Sequence, residues 1–129
     1  MNESDKLILE GFAKTMVNFM YMFDFDTTLI LASKEGVIIS YLPGKNLKFD
    51  DVQVGKVLPA DAPVNQAIVE NKPIFRELDS ARFGIAFTVL CIPVCNQDGV
   101  AIGAFSISTQ EKLPFSSIDK GLPRRRSSS

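Results

Sequence analysis

Between Ile85 and Val94 the chain is apolar on both of its alternating sides. Successive side chains of a strand point to opposite faces, so Ile85, Phe87, Val89 and Cys91 fall on one side and Ala86, Leu90, Ile92 and Val94 on the other. Neither face of such a strand meets water. A second β-rich run, Val100 to Ser108, follows across Asn96-Gln97-Asp98-Gly99, where Asp98-Gly99 supplies a tight reversal. Strands joined so closely are antiparallel, and an antiparallel sheet that is apolar on both faces needs a cover on each.

The rest of the chain offers two covers. Ser4 is placed to cap a helix from about Asp5 to Met22, along which Leu9, Phe12, Ala13, Met16, Val17 and Met20 recur at spacings of three and four. Leu7, Ile8, Phe19, Tyr21 and Phe23 add more apolar surface than one stripe against one sheet uses. A symmetric pairing of helices through residues 5–22 would bury the excess, so a homodimer is expected, with Met16 and Met20 on the shared face. Thr27 to Ala32 and Val37 to Tyr41, joined by Ser33-Lys34-Glu35-Gly36, read as a hairpin. From Leu42 to Ala62 the chain carries Pro43, Gly44, Gly55 and Pro59 with little periodicity, a long connection of the kind that shapes binding sites. Pro63 then starts a short helix with Val64, Ala67 and Ile68 on one face, stopped by Asn71 and Pro73, and Ile74 to Leu78 supplies a further strand. The connection with its helix covers one face of the sheet; the N-terminal helix or a partner subunit covers the other.

Several function classes drop out on composition. With 129 residues and 46% hydrophobic content, one core forms without metal or disulfide staples. The net charge of −1 provides no field for nucleic acid. No run approaches the roughly 18 apolar residues of a membrane span, and Met1-Asn2-Glu3-Ser4-Asp5 lacks a positive leader region, so a cytoplasmic chain without a membrane span is expected. Cys91 and Cys95 on one strand would have Cα atoms about 13 Å apart, beyond the roughly 7 Å reach of a disulfide. There is no histidine, which removes the usual neutral-pH base, the familiar triads, the usual haem ligand and the remaining ligands for zinc. No metal, cofactor or catalytic residue is therefore assigned, and no enzyme activity; Asp24 with Asp26 and Asp50 with Asp51 read as solvated charge. Gly99 and Gly103 do not open a helix and so make no phosphate loop; Gly36 and Gly99 serve turns, and Gly103 a close approach to its strand. Residues 111–129, ending Arg124-Arg125-Arg126-Ser127-Ser128-Ser129, read as a flexible basic tail.

The order helix, hairpin, connection with helix, three strands is that of PAS-like and Cache-like sensor domains. More specific are Tyr41-Leu42-Pro43-Gly44-Lys45, Phe83-Gly84-Ile85-Ala86-Phe87, and Ile92-Pro93-Val94 followed by Asp98-Gly99-Val100-Ala101-Ile102-Gly103-Ala104. Over about Thr27 to Ser108 the chain resembles the N-terminal cytosolic sensor region of some methyl-accepting chemotaxis proteins of anaerobic bacteria. The resemblance implies an α+β fold: a PAS-like five-stranded antiparallel sheet, a long N-terminal helix, and a short helix in the connection between strands 2 and 3. It implies one sensor domain over 1–110, with the helix in 1–23 and the sheet core in 27–108, acting as a dimerising, small-molecule-sensing module of bacterial signal transduction. Such receptors continue into a long helical signalling region, whereas this chain runs into Leu113-Pro114-Phe115.

Arg76 and Arg82 fall near the apolar edge of the pocket expected between the sheet and Leu42 to Lys72. A guanidinium grips a carboxylate through two parallel hydrogen bonds, so the expected partner is an unidentified small metabolite, an organic acid among the candidates. Surface pairing with Glu77 or Asp79 is the commoner use of such arginines. Tyr41 and Thr88 are expected to add hydroxyl contacts, though Tyr41 also suits the edge of a core. The alternative is a ligand-free interaction or dimerisation module with a profilin-like or GAF-like sheet. A polar-lined cavity or a solid core separates the two.

Overall fold

Asn2, rather than Ser4, caps the first helix. It sits extended at φ −76° and ψ 166°, and its Oδ1 accepts the Asp5 amide at 2.7 Å. The computed structural model describes residues 2–49, 52–80 and 84–110. Helix α1, Glu3–Met16, does not run on to Met22 as an α-helix; it tightens into a 3-10 turn over Val17–Met22. The Thr15 hydroxyl donates back to the Phe12 carbonyl at 3.0 Å, a bond that competes with the helical ladder just before the change. The tightened turn brings Phe19 edge-on to Phe12 and to Phe105 of the sheet, at centroid separations of 5.8 and 5.6 Å.

The strands are β1 (Thr27–Ser33), β2 (Ile38–Leu42), β3 (Ile74–Leu78), β4 (Phe87–Cys95) and β5 (Ala101–Thr109), with helix α2 at Pro63–Glu70. They form one antiparallel sheet in the order β2-β1-β5-β4-β3, so the last strand lies at the centre. The expected hairpin and three later strands are all present, β3 with the expected bounds and the others with ends moved by at most two residues. The largest shift is at β4, where Gly84 at φ +78° holds a bend and pairing begins at Phe87 instead of Ile85.

Both sides of the sheet are covered within one chain. Leu9 and Met16 of α1 pack on Leu29, Leu31, Phe105 and Ile107, while Val64, Ala67 and Ile68 of α2 pack on Ala32, Cys91 and Ala104 from the other side. The two alternating sets of β4 thus divide between the two cores. Gly103 is where α1 meets the sheet: a Cβ there would overlap the Ala32 carbonyl and stand 3.0 Å from Leu9 Cδ2. One expectation is overturned here. Met16 is fully buried against the sheet instead of lying on an outer face, and Met20 packs partly against the same core. The outward apolar groups are Leu7, Val17, Tyr21 and Met22. Among the described residues no helix is long and apolar enough to cross a membrane.

Candidate functional site

The segment after β2 is strapped to the sheet by three side chains. Asp26, just before β1, accepts the amides of Lys45 at 2.6 Å and Asn46 at 2.8 Å through its two carboxylate oxygens. The Thr28 hydroxyl accepts the Gly44 amide at 2.9 Å and donates to the Leu47 carbonyl. The Tyr41 hydroxyl accepts the Phe49 amide at 3.0 Å. Farther along, the Ile38 amide donates to the Lys56 carbonyl and the Gly55 amide to the Ile38 carbonyl, both at 2.8 Å, so the loop runs beside the free edge of β2. The loop is thus tied at both places.

Beneath it lies a cavity of about 950 Å³. Its floor is the face of β1, β5 and β4 that carries Ile30, Ser106, Ser108, Phe87, Val89 and Cys91. Phe49, Leu58 and Pro59 form the loop wall, with the Phe49 ring tilted on Phe87 at 4.9 Å between centroids. Val64 and Gln66 of α2 and Arg76 and Leu78 of β3 close another side. The charged lining residues described are Lys48, Lys56, Arg76 and Asp61, three cations to one carboxylate.

Arg76 is held in place. Its Nη1 donates to the Phe75 carbonyl at 2.7 Å and its Nη2 to Gln66 Oε1 at 2.8 Å. Gln66 Nε2 in turn donates to Glu70 Oε2 at 2.8 Å, and Lys72 Nζ lies 3.3 Å from the other oxygen of Glu70. The Gln66 hydrogen bond, and Lys72 after it, hold the Glu70 carboxyl below the usual carboxylate range. A chain of polar contacts therefore links the guanidinium at the cavity to the exposed end of α2.

Of the residues read from sequence, Arg76 lines the cavity. Tyr41 stands behind it, where its hydroxyl positions Phe49. Thr88 faces the opposite side of the sheet from Phe87 and Val89, and its hydroxyl donates to the Thr109 carbonyl at 3.1 Å. Arg82 lies outside the described residues. Sequence reasoning missed Gln66, Ser106 and Ser108. The signal for the serines was present: Ala104, Ser106 and Ser108 make one alternating set of β5 small or polar, while Phe105 and Ile107 make the other bulky.

Cys91 also lines the cavity, and burial pushes its thiol up to about 12. Thiol nucleophiles act as thiolates, so this cysteine is inert near neutrality. A thiol reagent at pH 8 should label exposed Cys95 rapidly and Cys91 only as fast as the protein unfolds. The folded state keeps a proton that the unfolded thiol releases above about 9, so stability should fall as pH rises through that region towards about 12. The slope from this group approaches about 1.4 kcal/mol per pH unit. Urea unfolding at a series of alkaline pH values, with Cys91→Ala as reference, isolates it; equal pH dependence in both proteins would refute the assignment.

No family model and no curated protein matches this sequence. Solved structures do. A chain of the E. coli DhaR(N)-DhaL complex superposes at a TM-score of 0.67 with 11% identity, over 90% of this chain and 46% of that one. This chain therefore spans less than half of that protein's length. The GAF domain of a two-component sensor histidine kinase from Bacillus halodurans gives a TM-score of 0.59 with 18% identity, over 88% of this chain and 84% of that one. The fold is PAS/GAF-like. Type II free methionine-R-sulfoxide reductase from Thermoplasma acidophilum gives a TM-score of 0.59 with 16% identity, over 93% and 86% of the two chains. At such identities the likeness is one of fold, and PAS/GAF-like sheets carry different functions on one framework.

Proposed function

We propose that residues 1–110 form a cytoplasmic, non-enzymatic sensor module of bacterial signal transduction, of the chemotaxis-receptor-like, Cache-like kind, whose cavity takes up a small acidic molecule. The observation that carries this reading is the cavity itself: about 950 Å³ between sheet and loop, with an arginine fixed in its wall. A cleft of this size, mostly apolar with a few placed polar groups, has the form of a small-molecule site, which a ligand-free interaction module does not need. The reductase among the structural relatives raises an enzymatic reading, but the cavity's described cysteine, Cys91, is held as a thiol by burial. The free thiol at exposed Cys95 suits a reducing compartment. Leu7, Tyr21 and Met22, exposed on the N-terminal helix and its 3-10 extension, are the surface through which the module pairs as a homodimer.

The test is a thermal-shift and native mass-spectrometry screen of straight-chain mono- and dicarboxylates against the intact chain. A ligand at 100 times its Kd should add about 2.7 kcal/mol of stability. Arg76→Gln should weaken a carboxylate ligand by roughly ten- to a hundredfold, the worth of a charge-assisted pair of hydrogen bonds. The absence of any stabilising acid, together with no co-purified molecule, would sink the sensing reading.

A further inference from the structure

Ser106 and Ser108 are 2% and 3% exposed, yet both border the cavity. They lie on the side of β5 opposite Phe105 and Ile107, which belong to the core under α1. Hydroxyls close to them are engaged: Thr109 Oγ1 donates to the Asp26 carbonyl at 3.0 Å, and Thr28 Oγ1 bonds the strap. By contrast, neither the Ser106 nor the Ser108 hydroxyl bonds a protein group among the described residues. No buried side-chain polar atom there is both sealed off and unpartnered, so these two hydroxyls open into the cavity. Polar groups at such depth are nearly always satisfied, so two neighbouring hydroxyls that open at the floor of a cavity without a protein partner take one from what fills it, water or a ligand.

The ladder sets their distance from Arg76. Arg76 opposes Val89, and Val89 opposes Ser108. Two strand spacings make about 10 Å between the backbone positions of Arg76 and Ser108, with the apolar side chain of Val89 between them. We infer that Ser106 and Ser108 form the inner end of the ligand site, and that with Arg76 they select a short carboxylic acid bearing a neutral oxygen, hydroxyl or carbonyl, at its far end. The carboxylate meets the guanidinium, the carbon chain crosses Val89 and Phe87, and the far oxygen reaches the serines. A serine hydroxyl both donates and accepts, which suits either neutral oxygen. A second carboxylate does not fit: Ile30, Val89 and Cys91 surround the serines, and no cation stands among these floor residues.

This inference rests on the sensing reading, and hexanoate, ω-hydroxyhexanoate and adipate separate the two. Titration calorimetry on the intact chain should show ω-hydroxyhexanoate binding about tenfold more tightly than hexanoate, the value of one net hydrogen bond, and more tightly than adipate. Ser106→Ala with Ser108→Ala should make hexanoate and ω-hydroxyhexanoate equal by weakening only the latter, with the Tm of the unliganded protein unchanged or raised. Equal binding of the two in the parent, a preference that survives the double substitution, or adipate binding most tightly overturns the subsite while leaving an acid-binding cavity. A lower Tm for the unliganded double variant also overturns it, because the hydroxyls would then serve the fold. If none of the three acids binds, the subsite and the sensing reading fall together.

Discussion

Met16→Glu is expected to destabilise the protein by about 4 kcal/mol or more, because it places a carboxyl group in an apolar core with no partner. Met16 has 0% exposure and sits with Leu9, Leu29, Leu31 and Phe105 under the first helix. The group must either carry its charge without solvation or fold protonated, and the helix should lift from the sheet. Urea unfolding followed by far-UV circular dichroism measures the loss; a midpoint close to that of the parent would mean that α1 does not pack as described. Leu7→Glu with Tyr21→Glu is the contrasting pair, at positions 58% and 85% exposed. Stability should then change by only about 0.5 kcal/mol per site. This pair, and not Met16, tests association. Light scattering should find the intact chain dimeric at high micromolar concentration and the double variant a folded monomer. A monomeric intact chain refutes pairing through residues 5–22.

Gly44→Val should cost about 2–3 kcal/mol and loosen the wall of the cavity while leaving the sheet formed. A Cβ at Gly44 would lie 2.9 Å from the Asp26 carboxylate carbon and 2.9 Å from the Thr27 carbonyl oxygen, and one of these is backbone that cannot give way. The displaced strap would lose the amide bonds of Lys45 and Asn46 to Asp26 and of Phe49 to Tyr41. Hydrogen exchange should show those three amides losing protection while amides of β4 and β5 keep theirs. Asp26→Ala should expose the Lys45 and Asn46 amides in the same way at a smaller cost of about 1 kcal/mol, since the two donors can turn to water. Unchanged protection in both variants would show that the loop is held by other means.

The resemblance in Tyr41-Leu42-Pro43-Gly44-Lys45 finds a physical explanation in this strap. A Cβ at Gly44 would collide with the Asp26 carboxylate, and Tyr41 reaches past this position to Phe49. The Tyr41 hydroxyl, expected as a ligand contact or at the edge of the core, holds Phe49, which lines the cavity. Thr88 faces away from the cavity for a different reason. The alternation that set Phe87 and Val89 on one side already put Thr88 on the other, but which side would carry the cavity depended on where the Leu42 to Lys72 segment settled.

What the sequence by itself determined was the layering: a strand apolar on both alternating sides demands two covers, the helical spacing of Val64, Ala67 and Ile68 gives one, and the apolar N-terminal helix gives the other. These are local periodicities, and local periodicity survives without knowledge of the rest of the chain. Only the tertiary structure decided which side of α1 faces inward, because apolar residues occur all round that helix and Thr15 leads it into a tighter turn. Tertiary structure also decided that Arg76 reaches Gln66 and that Ser106 and Ser108 end beneath the loop. Those meetings depend on strand register and on bonds such as Asp26 to Lys45, made between residues 19 apart in the chain, and no local pattern of residue types encodes them.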